Sequence, residues 1–390
     1  MPLVRQRHRA ALVALVVTVL TFPTAAKAQD QKVVTPAFDF SGVIFANWQQ
    51  RSDSATKAVN GGQATNKFDV ERAYLTFKMP AGDRASIRVT TDLFNSGVGG
   101  GNWTIRLKYA YLQWNFANDI GGTKGFNALA RFGVVHTVLI DHVEGFWPRY
   151  LGTSGTDRNS FFSSADAGAA VLVNLPNKMG EVYWTLTNGS GYSTGEGDRF
   201  KDFAARVSLT PLGNSTSLFK TLTISPWFYD GSAGSKFFNG GAGQVGAVTD
   251  GLTKTRYGVF VGNKDPKLSL GVDWAMRTDQ TEGGLNTTAS PRTTTDVKGS
   301  LLSLFAIVRP GAFADPKGPM SRWGLVGRLD TFTPNTDANG KPANQFITAG
   351  AFLDLTSKVT MSLDVQNQTR KSGSTTPESK LLFLHFQAAF

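Results

Sequence analysis

The residues from Lys380 to Phe390 alternate with a period of two. Leu382, Leu384, Phe386, Ala388 and Phe390 share one parity, so on an extended chain they share one face. Such a segment needs a sheet that is apolar on one side and polar on the other. The same alternation recurs upstream. Between Arg84 and Leu93, Ala85, Ile87, Val89 and Leu93 face one way, while Arg84, Ser86, Arg88, Thr90 and Asp92 face the other. About sixteen segments of this kind follow one another. Helical periodicity is nearly absent and glycine is plentiful, at 42 residues. The chain reads as all-β and antiparallel.

The first residues are of another kind. Arg5, Arg7 and Arg9 form a basic start, Ala10–Leu20 is apolar, and Ala26-Lys27-Ala28 has the small-residue pattern of a cleavage site. Residues 1–28 therefore read as a secretory signal peptide, and residues 29–390 as the folded unit. No later apolar run approaches the length of a membrane helix. Lipid cannot satisfy an open sheet edge, so strands of this kind in a membrane must close into a barrel. The absence of cysteine suits an oxidising compartment and excludes thiol chemistry. The formal charge is +11, and Arg5, Arg7, Arg9 and Lys27 leave with the signal. The remaining basic excess is spread at strand spacing, without the cluster that a nucleic-acid partner would need.

The connections alternate in length. Pro80–Asp83, Pro176–Gly180, Asn263–Pro266 and Thr356–Lys358 are brief. Arg51–Asn66, Asp141–Phe162, Gly231–Thr253 and Thr278–Val297 are long. This pattern predicts a transmembrane up-and-down β-barrel with long extracellular loops and short periplasmic turns. Trp48, Trp103 and Trp274 are expected on the outer face near the long-loop rim. Phe116, Phe126, Trp323 and Phe390 are expected near the short-turn rim, as aromatic belts require. The fourth strand changes parity between Leu107 and Ala110, which predicts a bulge near Lys108.

A barrel of this size encloses water. Strand parity turns Arg72, Lys78, Arg84, Arg88, Arg106, Arg131, Arg206, Arg256, Arg277 and Arg328 inward. The inward acids are fewer: Asp92, Glu181, Asp202, Asp273, Asp330, Asp354 and Asp364. An excess of guanidinium raises the local anion concentration. The connection 141–162 carries Asp141, Glu144, Phe146, Trp147, Arg149, Tyr150, Asp157, Arg158, Phe161 and Phe162, too apolar a set for a loop wholly in water. It is expected to fold into the lumen as a constriction; packing over the rim or at a subunit contact is the alternative. Signals for catalysis are weak. His136, His142 and His385 are the histidines after the signal, and the spacing of the first two beside Asp141 and Glu144 is a poor metal motif. Gly97–Gly101 lacks the Lys-Ser/Thr of a phosphate-binding loop. No cofactor and no metal are expected.

A terminal amphipathic strand closed by phenylalanine resembles the insertion signature of Gram-negative outer-membrane barrels, with Phe386 and Phe390 addressing the barrel-assembly machinery. Three further stretches, Phe68-Asp69-Val70-Glu71-Arg72-Ala73-Tyr74-Leu75, Lys108-Tyr109-Ala110-Tyr111-Leu112-Gln113-Trp114 and Trp323-Gly324-Leu325-Val326-Gly327-Arg328-Leu329-Asp330, resemble strands of the phosphate-selective porin O and P family. That resemblance implies a homotrimeric sixteen-stranded barrel with an inward third loop, a lumen arginine ladder and lysines at the constriction. Asp141–Phe162 has no lysine, and Gly324 stands where the family often has an acid. The expectation is a passive outer-membrane porin for small hydrophilic solutes, leaning towards anions, and not an enzyme. Alternatives are a substrate-specific phosphate or polyphosphate channel, an outer-membrane barrel enzyme, and a structural or adhesive barrel.

Overall fold

The computed structural model describes residues 38–95, 103–239, 245–284, 293–370, 374 and 376–390. The expected signal peptide and the Gly97–Gly101 stretch lie outside the described residues. Sixteen strands run in chain order: β1 Asp39–Arg51, β2 Thr65–Pro80, β3 Ala85–Asn95, β4 Trp103–Ala117, β5 Asn127–His136, β6 Ala165–Leu175, β7 Gly180–Thr187 and β8 Asp202–Leu209; then β9 Thr223–Asn239, β10 Val245–Lys264, β11 Leu268–Gly283, β12 Thr293–Val308, β13 Trp323–Thr333, β14 Asn344–Asp354, β15 Val359–Arg370 and β16 Ser379–Ala389. Each pairs with its neighbours in sequence, and β1 pairs antiparallel with β16, so the barrel is closed. Closure leaves no sheet edge.

Alternation sets the two faces. In β13, Trp323, Leu325 and Leu329 are exposed, while Val326, Arg328 and Asp330 are buried. In β16, Phe386 and Phe390 are exposed and Phe383 and His385 are buried. The exposed set is apolar and the buried set carries charge, the reverse of a water-soluble protein and the pattern of a barrel in lipid. Trp103, Trp274, Phe116 and Trp323 are likewise exposed on the outside.

The seam is completed by the last residue. The Phe390 amide donates to Gly42 O at 3.0 Å and the Gly42 amide to Phe390 O at 3.1 Å. A Cβ on Gly42 would come within 2.3 Å of the Phe390 ring, so only glycine lets that ring lie on β1. At Gly324 a Cβ would meet the Phe352 ring at 2.1 Å. That contact is a packing reason for glycine where the resembled family often has an acid.

Two of the register shifts matter for the interior. Between β3 and β4, Thr90 pairs with Tyr109 and Thr91 with Leu107, so Lys108 is the extra residue. This reconciles the parity of Ile105 and Leu107 with that of Leu112, Trp114 and Phe116, all exposed. Between β1 and β2, Phe45 pairs with Arg72 and Ala46 with Val70, which leaves Glu71 unpaired.

Several boundaries differ from expectation. Gly231–Thr253 and Thr278–Val297 are largely strand, because β9 with β10 and β11 with β12 continue their ladders far past the barrel wall. Their Gly, Ser and Thr content hid the strands, because neither stretch carries a two-residue apolar period. Two connections at the short-turn rim, 210–222 and 309–322, are long; the second holds a helix at Gly311–Ala314 and a 3-10 turn at Pro319–Arg322. β5 stops at His136 rather than running to Ile140. Arg84 lies in the turn before β3 and is exposed.

Candidate functional site

The chain leaves the wall after His136 and rejoins it at Ala165. In between, Val138, Leu139, Ile140, Val143, Trp147, Tyr150, Leu151, Phe161 and Phe162 are all buried. Short helices form at Ile140–Glu144 and Gly155–Arg158; the second is capped by Ser154, whose Oγ accepts the Asp157 amide at 3.3 Å. The rings pack on inner faces of the wall. Trp147 meets Phe305 with ring centroids 5.3 Å apart, Phe146 meets Phe260 at 5.1 Å, and Phe162 meets Trp227 and Tyr229 at 5.2 and 5.1 Å. Burying one such side chain is worth about 1.5–3 kcal/mol. Several together offset the entropy of holding the segment inside the barrel.

A segment in that position carries backbone carbonyls away from water, and these must be satisfied. Wall side chains do so. Arg206 Nε donates to Val138 O at 2.6 Å, Arg328 Nη1 to Thr153 O at 2.6 Å, and Arg277 Nη1 to Asn159 O at 3.0 Å. Arg256 Nη1 donates to both Ser160 O (2.8 Å) and Phe161 O (2.6 Å). Lys264 Nζ reaches Gly145 O at 2.6 Å, and Gln366 Nε2 reaches Leu151 O at 3.2 Å. Each of these arginines is also tied to an acid: Arg206 to Glu181, Arg256 and Arg277 to Asp279, and Arg328 to Asp330.

The opposite wall is different. Arg72 and Arg106 share Asp92, with Nη1 and Nη2 at 2.5 and 2.9 Å from its Oδ2. Arg106 also lies over the Phe94 and Tyr192 rings. Lys108, turned inward by its bulge, has Nζ 4.5 Å from the centre of the Tyr74 ring. It makes no ion pair among the described residues. Arg88 lies over Tyr109, and Arg131 donates from Nε to Gln113 Oε1 at 3.0 Å. Lys78 shares the parity of Thr76 and Tyr74 at the short-turn end of β2.

Between the connection and this wall is a cavity of about 490 Å³. Arg72, Arg106, Lys108, Arg149, Lys254 and Arg256 line it, with only three acids, Glu144, Asp157 and Asp166. Burial pushes Glu144 up to about 7, against the pull of Arg149 and Lys108. Burial also raises Asp157, with Arg149 and Lys108 opposing. Arg149 stands between Glu144 and Glu71, 3.3 and 3.2 Å away. The β2 bulge is what brings Glu71 within reach.

The histidines have other partners than a metal. Arg206 Nη1 donates to His142 Nδ1 at 2.8 Å, which leaves His142 Nε2–H to donate to Ser225 Oγ at 2.9 Å. Burial, and then Arg206, hold His142 well below the usual imidazole range. Arg88 Nη1 donates to His136 Nε2 at 3.0 Å, so His136 Nδ1–H is directed to Asp141. Burial opposes ionisation of Asp141, but His136, Lys108 and the Tyr109 hydroxyl keep it below the ordinary carboxylate range.

Parity places the arginines on the inner face but does not distinguish those that hold the connection from those beside the cavity. Lys108, Lys254, Lys264 and Glu71 are absent from the predicted set. The parity break in β4 was the signal that could have found Lys108.

A sixteen-stranded closed barrel crossed by its third long connection is the deciding observation. The fold is that of the outer-membrane porins. It superposes on the anion-selective porin from Comamonas acidovorans with a TM-score of 0.58 and 12% identity, covering 91% of this chain and 99% of that one. For OprB of Pseudomonas putida the TM-score is 0.59 at 11% identity, over 90% and 94% of the two chains. For OmpT of Vibrio cholerae, an outer membrane protein in its trimer form, it is 0.56 at 11%, over 91% and 99%. No protein-family model and no curated protein matches the sequence.

Proposed function

We propose that this protein is an outer-membrane porin through which small hydrophilic solutes diffuse passively, with a preference for anions. The observation that carries this reading is the connection 137–164 folded across the interior beside a cavity with six cationic side chains against three acids. Fixed positive charge beside a narrow aqueous path draws anions in and disfavours cations. Asp141–Phe162 acts as the constriction, and the arginines that cap its carbonyls keep it there. Arg72, Arg106 and Lys108 supply the field. No step of chemistry is required, so the protein is not an enzyme in this reading.

The remaining features belong with this function. Residues 1–28 are the cleaved export signal. Phe386 and Phe390 present an outer aromatic face to the assembly machinery and the lipid. The likeness to a barrel solved as a trimer supports a homotrimer. A channel specific for phosphate is the narrower alternative, favoured by three cations on one wall. Glu144, Asp157 and Asp166 on the same cavity speak for the broader one.

Single-channel recording in planar bilayers tests the proposal. The protein should give discrete openings and a reversal potential of anion sign in a KCl gradient. Replacing Phe146–Phe161 by a short Gly/Ser link should raise the unitary conductance severalfold. No openings, or unchanged conductance after loop replacement, would overturn the reading.

A further inference from the structure

A second cavity, of about 320 Å³, lies on the other flank of the connection, between Arg158–Ser160 and inner residues of β11, β13 and β14. It shares only Ser160 with the cavity described above. Two guanidinium groups line it. The Arg158 guanidinium makes no hydrogen bond among the described residues, and its Nη1 is buried. Its nearest carboxylate, Asp330, is 3.8 Å away and is already engaged by Arg328 through two bonds, at 2.8 and 2.6 Å. Arg277 gives Nη1 to Asn159 O, while its buried Nε makes no hydrogen bond and lies 3.7 Å from Asp279 Oδ2, an oxygen that Arg256 already holds at 3.0 Å. Phe346 lies under Arg158, 3.2 Å from ring centre to Cζ, and Phe332 lies under Arg277 at 5.0 Å. Burial and the neighbouring Arg328 pull Arg158 down to about 9, as befits a cation with too little negative charge around it.

We propose that this cavity binds a small carboxylate with an apolar body, its oxygens at Arg158 and Arg277 and its body among Phe332 and Phe346. The planar fork of a guanidinium matches two coplanar carboxylate oxygens. The rings supply apolar wall on the same side. Among the described residues the one acid lining the cavity, Asp330, is taken up by Arg328, and Asp279, beside Arg277, is shared with Arg256. A multiply charged anion would find no lysine or third guanidinium here among the described residues. The cavity lies at the long-loop ends of β13 and β14, beside the connection, and would hold such solutes near the constriction before they cross.

The assignment goes beyond the channel reading and is tested without it. Benzoate is titrated calorimetrically into the folded barrel in detergent, with benzamide as the neutral isostere. Benzoate should bind and benzamide should not. Arg158→Gln and Asn344→Asp should each weaken benzoate about tenfold or more, while Lys108→Gln should leave it unchanged. Asn344→Asp puts a negative charge on the cavity wall and leaves the bonds to the connection untouched, so it reads the site even if Arg158→Gln fails to fold. No benzoate binding, equal binding of benzamide, unchanged affinity in Asn344→Asp, or loss of binding in Lys108→Gln would each overturn the proposal. Bilayer conductance would then still decide the channel function on its own.

Discussion

Two sets of inward cations on opposite walls of the barrel do different work. On β8, β10, β11 and β13, Arg206, Arg256, Arg277 and Arg328 donate to carbonyls of the connection between β5 and β6. On β2 and β4, Arg72, Arg106 and Lys108 touch none of those carbonyls and only line the cavity, which Arg256 alone of the first set also reaches. The first set is structural: each arginine joins a wall carboxylate to a peptide oxygen that would otherwise be orphaned. The second set keeps charge beside an open path. The arginines of both sets share residue type and inward parity; the partner decides the role.

The largest effect should come from the holding wall. Arg328→Met leaves Asp330 buried without its bidentate partner and frees Thr153 O. Breaking such a pair costs about 3–5 kcal/mol. Chemical unfolding of the detergent-folded barrel should show that loss, and bilayer recordings should become noisier as the connection loosens. A loss below about 1 kcal/mol would mean that the arginine is not holding anything.

On the facing wall, stability and selectivity should separate. Arg72→Gln, Arg106→Gln, Lys108→Gln and Asp92→Asn together remove the cations without stranding a buried carboxylate. The reversal potential should shift towards cations, most strongly at low ionic strength, where screening is weakest. Stability should change much less than in Arg328→Met. Unchanged selectivity would move the deciding charges to Arg149, Lys254 and Arg256.

Acidity offers a finer test. Glu144 is held at about 7 by burial, so it gains a proton as pH falls through neutrality. Its negative charge then leaves the cavity, and anion preference should rise between pH 8 and pH 6. Glu144→Gln should hold anion preference at the higher level at both pH values. A pH response that survives this substitution would assign the titration to another group.

The smallest effect should be at Arg84. It is exposed in the turn before β3, where water solvates it fully, and Arg84→Gln should leave conductance, selectivity and unfolding unchanged within error. A measurable selectivity change would show that the field extends to the short-turn rim.

How much of this could be read from the chain depends on the range of each interaction. Alternation is local, and a register slip of one residue would place Arg88 or Arg328 in lipid at about 2–4 kcal/mol each near the midplane. The barrel, the inward parity of arginines within the strands (though not Arg84, which lies in a turn) and the bulge at Lys108 were therefore legible. The apolar rings of Asp141–Phe162 likewise signalled a buried segment. The extended hairpins of β9–β10 and β11–β12 were not legible, because their sequences lack the apolar alternation that marks a strand.

The sequence by itself determined which side chains face inward, because that choice follows from a two-residue period and the cost of charge in lipid. Only the tertiary structure decided what each inward charge is for. Arg328 and the carbonyl of Thr153 are 175 positions apart. A peptide oxygen finds its donor only when the closed barrel brings the two together.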